Sequence, residues 1–244
     1  MSGIFTRTEM MIGRACLQKL AGCRVAVVGL GGVGSFAAEA LARAGIGSLV
    51  LVDYDHIEIS NINRQLHALH STVGKPKARV MMDRLRDINP ALAVQAYDTK
   101  FCPATAGELL DGSGRLDYVI DAIDDVTNKV TLITCCLARN LPVISVMGTG
   151  NRLDPTSFKV GNIWNTSTCP LARAVRKKLR AAGINGNVPV VFSADPPGTA
   201  AGHRPAGRTR AAPGSISFVP PVAGLLAAGY VIDNLLNLGV FSGG

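Results

Sequence analysis

The nonapeptide VVGLGGVGS at residues 27–35 limits what this chain can fold into more than any other stretch. It ends an apolar, β-branched run, CRVAVVG (23–29). It then opens VGSFAAEALARAG (33–45), where Ala, Leu and Phe recur at helical spacing and Gly45 is placed to cap the end. The reading is a strand, a tight turn and a helix. Gly29, Gly31 and Gly34 satisfy GxGxxG, with Gly32 in the same turn. In that setting bare backbone N–H groups and a helix N-terminus can approach a phosphate without interference from Cβ atoms.

The alternation continues downstream. SLVLVD (48–53), ALAVQAY (91–97), LDYVIDA (116–122) and PVISVMG (142–148) read as strands, separated by helical patterns in KPKARVMMDRLRDIN (75–89), ATAGELLD and VTNKVTLITCCLARN. Buried strands alternating with helices predict an α/β fold: a Rossmann-like, doubly wound, mostly parallel sheet with helices on both faces. After Gly150, NRLDPTSFKVGNIWNTSTCP mixes polar residues with single apolar ones and reads as a C-terminal appendage, followed by the helix LARAVRKKLRAAG and a strand in NVPVVFS (187–193). The expected organisation is a nucleotide-binding core over 1–150, with 151–244 as the substrate-facing portion of the same domain. Within that portion, residues 195–214 lack an apolar period and are expected to form a mobile loop. The apolar stretch Val222–Ile232 is 11 residues long, against the roughly 20 that a membrane span requires. It predicts a buried helix over 222–238 and no membrane association.

A composition of 48% hydrophobic and 17% charged residues supports a large core and excludes general disorder. The six cysteines form no CxxC pair, which argues against a zinc ribbon or a disulfide framework and suits a reducing cytoplasm. The N-terminal residues show no secretory pattern. Lys and Arg outnumber Asp and Glu by only 15 to 14 over residues 1–150, but by 10 to 3 over 151–244. A basic surface of that kind suits a polyanion such as RNA, or simply a solvated face.

Asp53 closes the second strand where a carboxylate can reach ribose hydroxyls, a feature shared by NAD, flavin and ATP sites. The residues after it narrow the choice. Asn61, Asn63, Arg64 and Gln65 come together, and Lys75 and Lys77 open the next helix, where the dipole disfavours cations. Fixed Arg and Lys donors suit a triphosphate whose α-phosphorus must be opened to attack. DAIDDVTNK places Asp121, Asp124 and Asp125 at the carboxyl edge of the sheet, with Asp124 favoured for a metal and Asp125 for a helix cap.

Together, GLGGVGS, LVDYD, SNINRQ, GKPK and DAIDD resemble the adenylating enzymes of the ubiquitin-activating type, including their bacterial ThiF, HesA and molybdopterin-synthase-activating relatives, over about residues 5–150. The resemblance implies ATP with Mg²⁺: Gly29, Gly31, Gly32 and Gly34 near phosphate, Asp53 on ribose, Arg64 and Lys77 on the triphosphate, and Asp124 on magnesium. Asp55, Asn61, Gln65 and Asp121 complete the implied nucleotide-binding set. It also implies a homodimer in which Arg7 reaches the partner subunit's site. The motifs NRQLHALHSTVGKPKA, GTGNRLDPT and CPLARAVRKKLR look like the tRNA threonylcarbamoyladenosine dehydratase branch. That branch implies carboxylate adenylation followed by ring closure of the modified base beside the anticodon.

On this reading Arg173, Arg176, Lys177, Lys178 and Arg180 bind tRNA, with Arg204, Arg208 and Arg210 assisting from the loop. His203 either assists there or is idle. Cys169 is either a small buried thiol or a nucleophile or sulfur acceptor for a sulfur-transfer partner protein. Two rival activities share parts of the pattern. Adenylation of the C-terminus of a small sulfur-carrier protein shares the ATP set but lacks the two CxxC zinc pairs common there. NAD(P)-dependent oxidation shares GxGxxG and Asp53 but has no use for Arg64, Lys77 and Asp124.

Overall fold

A computed structural model of the chain describes residues 3–198 and 213–241. The chain begins with helix α1 (Thr6–Ala21), bent at Gly13, whose φ is +78°. Strands β1 (Arg24–Val28), β2 (Ser48–Val52), β3 (Ala93–Tyr97), β4 (Tyr118–Asp121), β5 (Val143–Val146), β6 (Phe158–Asn162) and β7 (Pro189–Ser193) form one seven-stranded sheet in the order β3-β2-β1-β4-β5-β7-β6. All neighbours pair in parallel except β6, which runs antiparallel to β7 at the edge. The remaining helices are α2 (Gly34–Ala44), α3 (Lys77–Ile88), α4 (Ala106–Asp111), α5 (Val126–Ala138), α6 (Pro170–Ala181) and α7 (Val219–Leu236).

Side chains alternate across the strands, so each strand feeds two cores. On one face Val25, Val27, Leu49, Leu51 and Ile120 pack with Ala37 and Leu41 of α2, Met81 and Leu85 of α3, and Ala223, Ala227 and Val231 of α7. On the other, Ala26, Val28, Val50, Val52 and Val119 meet Leu109 and Leu110 of α4 and Leu132 and Cys136 of α5. A third cluster sets Ala172, Val175 and Leu179 of α6 against Val188, Val190 and Phe192.

Helix α7 has a mean hydropathy of 1.4 over its 18 residues, and its apolar side is spent on this core. It meets α2 so closely that a Cβ on Gly224 would lie 2.2 Å from the Val33 carbonyl oxygen.

The polar segment after Gly150, expected as an appendage to the sheet within the same domain, supplies a strand that the sequence did not announce: it contributes β6 to the sheet's edge. Phe158 is buried, while Lys159 points outward with its ammonium 5.5 Å from the centroid of the Phe192 ring. An edge strand buries only one side, so FKVGN needs few apolar residues. Residues 199–212, with His203, Arg204, Arg208 and Arg210, lie outside the described residues, as does most of the expected mobile loop.

Candidate functional site

A cleft of about 620 Å³ opens at the carboxyl ends of β1, β2 and β4. Its place follows from the topology: successive strands leave β1 in opposite directions, so the loops after β1 and β4 diverge and leave a crevice.

The glycines around it do different jobs. Gly29 has φ +91°, and a Cβ there would sit 2.7 Å from the Ala122 carbonyl oxygen. A Cβ on Gly34 would lie 1.8 Å from the Gly29 carbonyl oxygen, so this residue lets α2 start directly above β1. Gly32 is wedged between Pro220 and Arg64. At Gly31 the nearest atom, Gln65 Nε2, is 3.9 Å away, so a side chain would project into the cleft itself. Three glycines thus serve the protein's own packing, and Gly31 keeps space for something else.

Asp53 is 8% exposed. Its Oδ2 accepts from Leu30 N–H at 2.6 Å and its Oδ1 from Asp55 N–H at 2.8 Å. Burial pushes its pKa up, and the Lys77 ammonium with the two N–H donors pulls it back. Lys77, only 5% exposed, donates to Asp55 Oδ2 at 2.9 Å from the first turn of α3. The cation at that helix start is therefore balanced by a carboxylate on the cleft wall, an ion pair that spacing alone did not reveal.

Arg64 NηH groups donate to Ser60 O and Asn63 Oδ1, both at 2.9 Å, which holds the guanidinium at the cleft. Asn61 accepts from Glu58 N–H and is buried beside it. Gln65 and Ser215 line the cleft, and their Oε1 and Oγ atoms are buried with no hydrogen-bond partner among the described residues. Buried polar atoms rarely stay unpaired, so these two suit a polar ligand.

The three aspartates separate sharply. Asp125 caps α5, accepting from Asn128 N–H at 2.8 Å. Asp124 lines the cleft with no intramolecular hydrogen bond among the described residues. Asp121, expected with the nucleotide set, is fully buried, forms an ion pair with Lys129 at 2.8 Å and does not line the cleft. Its oxygens are taken by the protein, so it has none to offer a ligand.

Among the described residues no three His, Cys, Asp or Glu side chains converge as a metal site. Among the described residues that line the cleft, Asp124 is the carboxylate with no hydrogen bond of its own to commit it.

Several cleft residues escaped the sequence reading: Tyr54, Thr99, Lys100, Phe101, Thr149, Ser215 and Pro220. Tyr54 stands over the mouth with the Lys100 ammonium 5.4 Å from its ring centroid. The Asp55 charge holds its phenol above the ordinary pKa. Only its position in DYD, at a strand's carboxyl end, signalled it. Arg7 is exposed on α1 and does not line this cleft.

Helix α6 presents Arg173, Lys177, Lys178 and Arg180 to solvent. Lys178 donates to Thr127 Oγ1 at 2.9 Å, and Arg180 lies over the Trp164 ring at 5.1 Å. Arg176 instead turns inward and donates to Thr166 Oγ1, so it buttresses the turn before α6. Cys169 is 1% exposed, a packed thiol rather than an accessible nucleophile.

A model of the ThiF family matches residues 5–241. The chain belongs to the ThiF family. Within that family it is 46% identical over 242 residues to a tRNA threonylcarbamoyladenosine dehydratase of Bacillus subtilis (strain 168), covering 96% of this chain and 94% of the relative. The crystal structure of the Escherichia coli tRNA N6-threonylcarbamoyladenosine dehydratase TcdA in complex with ATP superposes with a TM-score of 0.88 at 35% identity, over 96% of this chain and 93% of that one. Similarity to another ThiF-family branch is narrower: 36% identity over 138 residues to the sulfur carrier protein ThiS adenylyltransferase of Escherichia coli (strain K12), 56% of this chain and 54% of the relative.

Proposed function

We propose that this ThiF-family chain is an ATP-dependent tRNA threonylcarbamoyladenosine dehydratase that adenylates the carboxylate of the modified base and releases it in cyclic form. The observation that carries this reading is the cleft. Gly31 leaves room for phosphate, Arg64 and Lys77 supply fixed cations, and Asp124 is an uncommitted carboxylate at one mouth. Near-full-length similarity to an enzyme of that name supports the choice of substrate.

The nucleotide-binding set on this reading is Gly29, Gly31, Gly32, Gly34, Asp53, Asp55, Asn61, Arg64, Gln65, Lys77 and Asp124. Gly31 and the start of α2 bring backbone N–H groups to phosphate, and Asp53 accepts from ribose hydroxyls. The substrate carboxylate attacks the α-phosphorus, forming an acyl–phosphate bond as pyrophosphate leaves. A nucleophile of the same modified base then attacks the acyl carbon and expels AMP, so the net change is loss of water. Arg64 and Lys77 stabilise charge growing on the phosphates, and Asp55 fixes where the Lys77 ammonium points. Mg²⁺ suits Asp124 together with phosphate oxygens, because the cation is commonly held by one or two carboxylates plus its nucleotide. When bound it supplies charge neutralisation.

Arg7 acts across a homodimer, from a helix whose neighbours Met10 and Met11 are 75% and 84% exposed and so available to a second copy. The exposed cations of α6 track tRNA phosphates, and the target base, in an anticodon loop, splays toward the cleft. A cytoplasmic location follows from the substrate. Adenylation of a sulfur carrier shares the cleft but receives no support from Cys169, which is buried.

The test is direct. Purified protein with ATP, Mg²⁺ and threonylcarbamoylated tRNA should release pyrophosphate and yield the cyclised nucleoside by mass spectrometry. Formation of neither overturns the proposal.

A further inference from the structure

Behind the cleft wall lies a charged cluster that touches no ligand space. Lys129 on α5, Asp121 at the end of β4 and Ser145 near the end of β5 are all fully buried. The Lys129 ammonium uses its three donors on Asp121 Oδ2 at 2.8 Å, Val146 O at 3.0 Å and Ser145 Oγ at 3.2 Å. Ser145 Oγ–H in turn donates to the same Asp121 oxygen. The other oxygen, Oδ1, accepts from Ile123 N–H at 3.0 Å, outside the cluster and inside the loop that lines the cleft.

That loop, residues 122–125, is pinned at both ends. Asp121 holds Ile123, and Asp125 holds Asn128 N–H at the start of α5. Between the two pins only Asp124 is left with its carboxylate free and on the cleft.

A buried ion pair is a poor way to gain stability, because apolar residues of the same volume are often as good or better. Stability alone therefore does not account for three polar side chains at this spot. What an apolar trio cannot do is grip the Ile123 N–H.

We propose that Asp121, Lys129 and Ser145 are positioning residues that set Asp124 at the cleft by way of the Ile123 backbone. Lys129 and Ser145 hold Asp121 in orientation, Asp121 fixes the turn, and the turn aims Asp124 at the phosphate-bound cation. None of the three meets substrate. The inference rests on the ATP-site reading above and extends it to residues outside the cleft.

Two charge-balanced double variants separate positioning from mere core filling. Asp121→Asn with Lys129→Met keeps an acceptor for Ile123 N–H, whereas Asp121→Leu with Lys129→Met removes it. Amide hydrogen exchange of the nucleotide-free protein should stay slow at residues 122–125 in the Asn/Met protein and accelerate in the Leu/Met protein at similar Tm. By calorimetry, the Mg²⁺ concentration needed for tight ATP binding should rise about 10-fold or more in the Leu/Met protein, the usual scale for losing a partner behind a metal ligand. It should change less than about threefold in the Asn/Met protein.

Equal exchange and equal Mg²⁺ dependence in two folded double variants overturn the proposal. If the Leu/Met protein does not fold, Ser145→Ala decides. The single lost hydroxyl should raise the Mg²⁺ requirement severalfold with Tm nearly unchanged, and an unchanged requirement overturns the idea. A wild-type protein that binds no ATP at any Mg²⁺ concentration instead breaks the underlying ATP reading and leaves the exchange comparison to judge the cluster.

Discussion

Where β1, β2 and β4 end, charged groups turn inward onto one cleft, while around α6 and β7 they stand on the outside of a helix. Lys77 is 5% exposed and tied to Asp55, and Asp53 is held by two backbone donors. Arg173 and Lys177, by contrast, are exposed, and their side chains make no hydrogen bond or ion pair among the described residues. The first region selects by shape and placement, which suits a small ligand of fixed geometry. The second works through its field, which reaches about 8 Å in physiological salt and suits a long polyanion. Each region can be damaged without the other if that division holds.

The largest effect should come from Gly34→Ala. Its Cβ would meet the Gly29 carbonyl oxygen at 1.8 Å, so stability should fall by roughly 3 kcal/mol or more in a denaturant melt, taking both regions down together.

Arg64→Ala should cut pyrophosphate release by about 10²–10³-fold while tRNA affinity stays as it was. A parallel loss of tRNA binding would erase the distinction between the regions.

Gly31→Ala has space around its new methyl, so Tm should hold. ATP affinity should fall by about 10–100-fold, the worth of one hydrogen bond to a charged group. Retained ATP affinity would mean that phosphate does not rest on this turn.

On α6, Arg173→Ala with Lys177→Ala should make the slope of log K against log salt for tRNA shallower by about 1.5 and leave ATP binding untouched. Arg176→Ala should instead lower Tm, since its guanidinium is committed to Thr166.

The smallest effect concerns His67, which is buried beside the nucleotide segment with neither ring nitrogen hydrogen-bonded among the described residues. Burial, with the nearby Lys77 and Arg84 charges, lowers its pKa from 6.5 to about 4. The folded state keeps it neutral while the unfolded chain takes up a proton, so stability is lost as pH falls from about 6.5 toward 4. His67→Leu should flatten that part of a pH-stability curve measured by chemical denaturation.

The contrast between the regions also explains what the sequence made legible. The parallel strands are buried on both faces, and their continuous apolar runs announce them; β6, half buried at an edge, carries no such run and reads only as part of an appendage. Helix α1, with a glycine at φ +78° in its middle, offered no unbroken helical period. Within the cleft, Gly31, Asp53, Arg64, Lys77 and Asp124 were recognisable because they sit close to their elements' ends. Asp125 could be told apart as a helix cap, but the expectation for Asp121 failed for a physical reason: nothing local shows that its carboxylate is committed. What commits it is Lys129, which approaches from the next helix only after the chain has folded. Ser215 and Pro220 reach the cleft from far along the chain and carry no motif at all.

The close seating of α7 on α2, with Gly224 against the Val33 carbonyl, bears on how the protein is made. Synthesis runs from the N-terminus, so the helix that starts at Gly34 leaves the ribosome long before Val219–Leu236, the segment that covers it. Until that segment arrives, Val33 and Ala37 face water, as do the Ala223, Ala227 and Val231 positions on α7 until they dock. The nascent chain is therefore most prone to aggregation, and most in need of a chaperone, over the interval between the two helices.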